Sequence, residues 1–166
     1  MTRLLVTGGL GFIGSHVVRR LLETRPGIDV TVVDDLSGTI TDWSDLEDRA
    51  TIVIDDLRSI APADSAFDEV WHLASPVGSV GILGATGHIA GDIIDLAGRA
   101  HDIAAAGGGV LVYVSSSEVY GRDGRHDEHA DLVVPHRRGA RMEYAIGKLG
   151  AEHVLANRSV DSGVRL

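Results

Sequence analysis

Short apolar runs rich in Val, Ile and Leu recur along the chain and alternate with stretches whose apolar positions repeat every three or four residues. Residues 3–7, 29–33, 51–54, 69–73 and 110–114 read as strands. Residues 12–23 read as a helix with Ile13, Val17 and Leu21 on one face. Residues 91–105 read as a second, with Ile93, Leu96, Ala97, Ala100, Ile103 and Ala104 at helical spacing, ended by Gly107-Gly108-Gly109. A last helix is predicted over 143–156. Continuously apolar strands separated by helices predict a parallel sheet covered on both faces, because parallel strands need crossover connections. The expected fold class is therefore α/β, a doubly wound parallel sheet. Gly163-Val164-Arg165-Leu166 reads as the opening of a sixth strand, so the chain is expected to be a fragment.

A length of 166 residues suits one domain with its own core. The absence of cysteine excludes a disulfide scaffold, a Cys zinc site and thiol catalysis. With 15 Lys and Arg against 24 Asp and Glu, the net charge of −9 argues against nucleic acid or an anionic membrane as partner. Between His72 and Gly91 there is no charged residue, but Pro76, two His and five glycines make that stretch a Gly-rich loop running into a helix rather than a membrane span. The apolar start of the chain is too short for a signal peptide, and a cytoplasmic location is expected. Glycine is the compositional outlier: 21 residues, against roughly 7% in ordinary usage.

The glycines concentrate where they carry chemistry. Thr7-Gly8-Gly9-Leu10-Gly11-Phe12-Ile13-Gly14 joins the first strand to the first helix. In such a loop one glycine makes the tight turn, one lets the backbone approach a pyrophosphate, and one lets the helix pack closely on the strand. The helix N-terminus offers free N–H groups and a positive dipole end to the phosphates. Asp34 closes the second strand 20 residues after the last glycine, where a carboxylate can accept from the ribose hydroxyls of an adenosine and would repel a 2′-phosphate. This is a Rossmann-type nucleotide site, and it favours NAD over NADP. Asp56, after the third strand, could meet the adenine edge or be an ordinary loop carboxylate.

Ser115-Ser116-Ser117-Glu118-Val119-Tyr120 ends the fifth strand, where a serine would lie beside the nicotinamide end of the cofactor. Tyr144 and Lys148 stand at i and i+4 on the last helix and so share a face. A lysine ammonium beside a tyrosine stabilises the phenolate and makes it a general base.

These motifs resemble, in order and over the whole chain, the extended short-chain dehydrogenase/reductases that modify nucleotide sugars: TGGLGFIG, VVDDLS, DDLR, HLAS, SSSEVYG and YAIGK. The resemblance implies catalytic roles for Ser116, Tyr144 and Lys148, with Lys148 also holding the nicotinamide ribose. It implies cofactor contacts from Gly8, Gly11, Phe12, Ile13 and Gly14, from Asp34, Asp56 and Leu57, and from Leu73 and Ala74. Glu118, two residues before Tyr120, is similar to the Glu that sugar-nucleotide dehydratases and UDP-glucuronate decarboxylases carry and simple 4-epimerases lack. The run Gly139-Ala140-Arg141-Met142-Glu143-Tyr144 resembles the decarboxylases, in which Glu118 would act near C5. Nucleotide-sugar 4-epimerases and 4,6-dehydratases are the alternatives, although Ser117 stands where dehydratases carry an Asp. Family members are about twice as long, so residues 1–166 would be the NAD-binding domain, with the C-terminal substrate domain outside this chain. A homodimer paired through helices 91–105 and 143–156 is implied in the same way. A non-catalytic NAD-binding module, or an NAD-sensing regulator, is the alternative of another class.

His88 stands where the family usually has Asn. His126, Asp127, Glu128, His129 and His136 mimic a metal cluster, but their spacing suits a surface loop and no metal is expected. Trp43 and Trp71 read as packing residues. Arg137, Arg138 and Arg141 could reach a phosphate or carboxylate, or form a solvated charge run.

Overall fold

The computed structural model describes residues 1–39, 41–62, 66–76, 87–121, 127, 136 and 138–166. Five parallel strands form one sheet in the order β3-β2-β1-β4-β5: β1 Arg3–Thr7, β2 Asp29–Asp34, β3 Thr51–Ile54, β4 Glu69–His72 and β5 Val110–Tyr113. The order reverses direction between β1 and β4, the crevice where ligands bind in open parallel sheets. The strands match the sequence reading to within a residue at each end.

Alternation along the central strands divides the core. Leu4 and Val6 of β1 and Val30 and Val32 of β2 pack with Val18 and Leu21 of α1, Phe12–Thr24. Leu5 and Val33 face the other way, into a larger cluster with Val70, Leu111 and two long helices. These are α2, Ile89–Gly107, and α3, Ala140–Ser162, which pack on each other. The doubly wound arrangement is therefore present, with the period-2 strands buried on both faces.

Both long helices exceed the spans read from periodicity. α2 begins at the buried Ile89, and α3 runs to Ser162 through polar last turns that add backbone bonds without adding apolar periodicity. Gly108, left-handed at φ +64°, caps α2 and returns its N–H to Ala104 and Ala105. Arg165 pairs in parallel with Val110, and Leu111 N–H donates to Arg165 O at 2.8 Å, so the last residues lie as a strand would beside β5. Trp43 and Trp71 pack against the α1-side core, as their packing reading required.

Candidate functional site

All the motif residues within reach of description collect at the C-terminal edge of the sheet. Gly8 turns the chain out of β1 at φ +68°, and a Cβ there would lie 2.7 Å from the backbone of Ala74. At Gly14 a Cβ would fall 2.0 Å from Gly8 O, so this glycine lets α1 close on the loop. Gly11 differs, since its Cβ would meet only Gly8 O at 3.3 Å. It is the N-cap of α1, and neither a capping side chain nor an acidic residue in the first turn satisfies that helix end. Phe12 and Ile13 beside it are 63% and 61% exposed, large apolar side chains that the described residues leave mostly uncovered.

Asp34 is only 8% exposed and is held in place. Its Oδ2 accepts from Leu10 N–H at 2.9 Å, and its Oδ1 accepts from Leu36 N–H at 2.9 Å and Thr39 Oγ1 at 3.2 Å. A carboxylate has about four acceptor positions, so three are filled by the protein. The Thr39 bond is the longest and the one a ribose hydroxyl could replace. Asp34 thus braces the glycine loop. Asp56 lies at the same edge, since Asp34 pairs with Ile54 and Asp55 N–H donates to Asp34 O. It caps a 3-10 turn, Leu57–Ser59, by accepting from Arg58 N–H, and the Leu57 side chain is buried.

The floor of the crevice rests on Thr7, which motif reading overlooked. Its Oγ1 lies 2.7 Å from His72 Nδ1 and accepts from Ala74 N–H at 3.3 Å, while Leu73 N–H donates to Thr7 O. Burial, and secondly the Lys148 charge, push His72 down to about 3, so it is neutral. The overlooked signal was local: a hydroxyl and an imidazole each ending one of the two central strands. Two buried hydroxyls at this edge, Ser75 and Ser115, find no partner among the described residues. The uncapped helix end, the uncovered Phe12 and Ile13 and these idle hydroxyls together fit a dinucleotide laid across the crevice.

On the other side of the switch point, Lys148 is 3% exposed, and its Nζ donates to Val114 O at 2.7 Å just past β5. The ammonium lies 4.9 Å from the Tyr113 ring centre and 5.9 Å from that of Tyr144. Burial pushes Lys148 down to about 8, with Glu152 opposing. Burial also raises the Tyr113 phenol, which stacks on His72 and finds no hydrogen-bond partner among the described residues. Tyr144, on the same face one turn earlier, is buried. Ser116 caps the 3-10 turn Ser117–Tyr120, its Oγ accepting from Glu118 N–H at 3.2 Å, which leaves the hydroxyl proton free to donate. That turn packs on α3.

Glu118 and Arg141 were read separately, and the structure joins them: Nε and Nη2 of Arg141 lie 3.0 and 2.9 Å from Glu118 Oε1. Of the three arginines, Arg141 is therefore paired with a site carboxylate. Glu143 has a role that sequence spacing could not show. It accepts from Gly87 N–H at 2.7 Å and, at 3.5 Å, from Ala90 N–H in the first turn of α2, the cap that the His88 side chain does not give. Residues 77–86 of the Gly-rich loop, Arg137, and His126, Glu128 and His129 of the supposed metal cluster lie outside the described residues. Among the described residues no group of three or more His, Asp or Glu could hold a metal, and no helix is long and apolar enough to cross a membrane.

Comparison with known proteins agrees with this geometry. The NAD dependent epimerase/dehydratase family matches residues 4–166. The UDP-glucuronic acid decarboxylase 1 of Danio rerio is 30% identical over 90% of this chain and 36% of its own length. A dTDP-glucose 4,6-dehydratase of Streptomyces niveus is 32% identical over 79% of this chain and 43% of its own. Among solved structures, a dTDP-glucose 4,6-dehydratase from Streptomyces venezuelae with NAD bound superposes with a TM-score of 0.81 and 28% identity, over 98% of this chain and 53% of that one. The chain spans less than half the length of the first two and about half of the third.

Proposed function

The chain belongs to the NAD dependent epimerase/dehydratase family, and on that footing we propose that it is the cofactor domain of an enzyme that oxidises C4 of a nucleotide sugar, with UDP-glucuronate as substrate and decarboxylation as outcome. The observation that carries this is Lys148, a buried ammonium pinned to Val114 O with Tyr144 one turn away on the same helix face. A module that only bound or sensed NAD would need the glycine loop and Asp34, and could use Lys148 on the nicotinamide ribose, but would have no use for a tyrosine placed beside that cation or for the Ser116 hydroxyl.

Gly8, Gly11 and Gly14, with the α1 N-terminus, would hold the pyrophosphate, and Asp34 the adenosine ribose. Asp56 and Leu57 would lie at the adenine, and Leu73 and Ala74 would line the crevice. When bound there, NAD supplies a reversible acceptor for the C4 hydride. Tyr144 takes the proton of the 4-hydroxyl, Lys148 stabilises the phenolate, and the Ser116 hydroxyl donates to the C4 oxygen. The 4-keto sugar so formed carries its C5 carboxylate β to a ketone, and the C5–carboxyl bond breaks with release of carbon dioxide. The electron pair passes to the C4 oxygen as an enolate, which is protonated at C5 on the side where Glu118 acts. The hydride then returns to C4 while Tyr144 gives its proton back to the C4 oxygen, so the UDP-pentose forms and the cofactor is unchanged over the cycle. Glu118 supports this outcome over the epimerase reading, and Ser117, standing where dehydratases carry an Asp, supports it over the dehydratase reading. The similarity runs to a decarboxylase and to a dehydratase alike. A homodimer paired through α2 and α3, which the family resemblance implies, belongs to this reading.

The test incubates the protein with UDP-glucuronate and substoichiometric NAD and follows carbon dioxide and UDP-pentose by mass spectrometry. Turnover that falls at least a hundredfold in Tyr144→Phe is expected, given the usual worth of a general base. A 4-epimer, or a 4-keto-6-deoxy product from dTDP-glucose, would shift the outcome within the family. NAD binding with no turnover of any sugar nucleotide would favour the non-catalytic module.

A further inference from the structure

One cation at the adenine end of the crevice is committed to more partners than folding of its own turn requires. Arg58 follows Asp56 in the 3-10 turn after β3, and its guanidinium reaches three carboxylates: Nη1 to Asp56 Oδ2 at 3.0 Å, Nη2 to Asp92 Oδ1 at 2.6 Å and Nε to Asp95 Oδ2 at 2.7 Å. Its carbonyl in turn accepts from Arg99 Nη2 at 2.7 Å. Asp92, Asp95 and Arg99 all belong to α2, so the turn is fastened to that helix by side chain and backbone together. Asp56 is fixed at both oxygens, Oδ1 by Arg58 N–H and Oδ2 by the guanidinium.

We propose that Arg58 is the positioning residue for the adenine end of the cofactor: anchored on α2 by Asp92 and Asp95, it holds the Asp56 carboxylate at the sheet edge, oriented to accept from the 6-amino group of adenine. This rests on the nucleotide-binding reading above. Each ion pair is half-exposed and worth little alone. Their convergence is what matters, because without Arg58 three carboxylates within reach of one guanidinium repel one another and Asp56 turns away. Arginine suits the place because its planar fork satisfies several carboxylates at fixed angles, which a lysine cannot do. Adenine would then be distinguished from hypoxanthine, whose 6-oxygen presents an acceptor to the same carboxylate.

The test is calorimetric binding of NAD and of deamino-NAD, which carries hypoxanthine. The wild-type protein should prefer NAD by about tenfold or more, the usual worth of a hydrogen bond to a charged group. Arg58→Leu should cut that preference below about threefold while its affinity for deamino-NAD stays within about threefold of wild type. The double variant Asp92→Asn, Asp95→Asn leaves Asp56 and Arg58 in place but loosens the anchor, and it should give an intermediate preference even if Arg58→Leu does not fold. Equal weakening of both dinucleotides, or a preference unchanged in these variants, would overturn the positioning role while leaving the adenine contact standing. A wild-type protein indifferent to the two dinucleotides would instead overturn the contact of Asp56 with adenine, and the inference with it.

Discussion

Around β1 the candidate site is made of backbone. Gly8 turns at φ +68°, Gly14 admits no Cβ within 2.0 Å of Gly8 O, and Gly11 leaves the N–H groups of α1 open. At the end of β5 it is made of side chains that meet from distant parts of the chain: Lys148 on Val114 O, Arg141 on Glu118, and Ser116 on the turn it caps. The first region is a steric device, in which every residue type is dictated by the space left for it. The second is electrostatic, and its parts depend on burial and pairing that no local pattern encodes. The two regions should therefore fail differently when altered.

The largest difference is expected between two glycines of the same loop. Gly14→Ala places a methyl against backbone that cannot yield, so it should cost about 3 kcal/mol of stability or more and abolish NAD binding. Gly11→Ala meets a single atom at 3.3 Å in a backbone conformation open to alanine. It should leave stability within about 0.5 kcal/mol while weakening NAD at least tenfold. Thermal unfolding and calorimetry on the pair would separate steric closure from ligand approach, and equal unfolding temperatures for both variants would break the distinction.

Next comes Lys148, whose folded-state value of about 8 lies below its ordinary 10.5. Between these limits the unfolded chain binds more protons than the folded one, so the contribution to stability rises as pH climbs from about 8 towards 10.5. Lys148→Met removes the titrating group, and the wild type should gain on the order of 3 kcal/mol relative to this variant across that window. Denaturant unfolding at stepped pH measures it. A gain on falling pH would show that the ammonium is better solvated than its burial indicates.

The smallest effect belongs to Glu118 and Arg141. With the arginine side chain largely exposed, a double-mutant cycle of Glu118→Gln and Arg141→Gln should return a coupling of about 0.2–1 kcal/mol in stability. NAD affinity should not change in either single variant. A change there would mean that the β5 region is not separable from the cofactor loop.

Much of this molecule is written locally. β-branched runs set the five strands, the glycine spacing set the loop, and i, i+4 spacing put Tyr144 and Lys148 on one helix face, because steric and periodic constraints act between near neighbours. Those constraints also favour the parallel sheet, since long connections between short apolar strands leave room for the crossovers that parallel pairing needs. Only the tertiary structure decided that Glu143 of α3 caps α2, that Thr7 and His72 join the two central strands, and that Arg58 gathers carboxylates from a turn and a helix more than thirty residues apart. It also decided that Asp34 braces the loop it faces. Each of these is a polar group seeking a partner under burial, and which partner arrives depends on how the layers pack, a quantity that no stretch of sequence carries by itself.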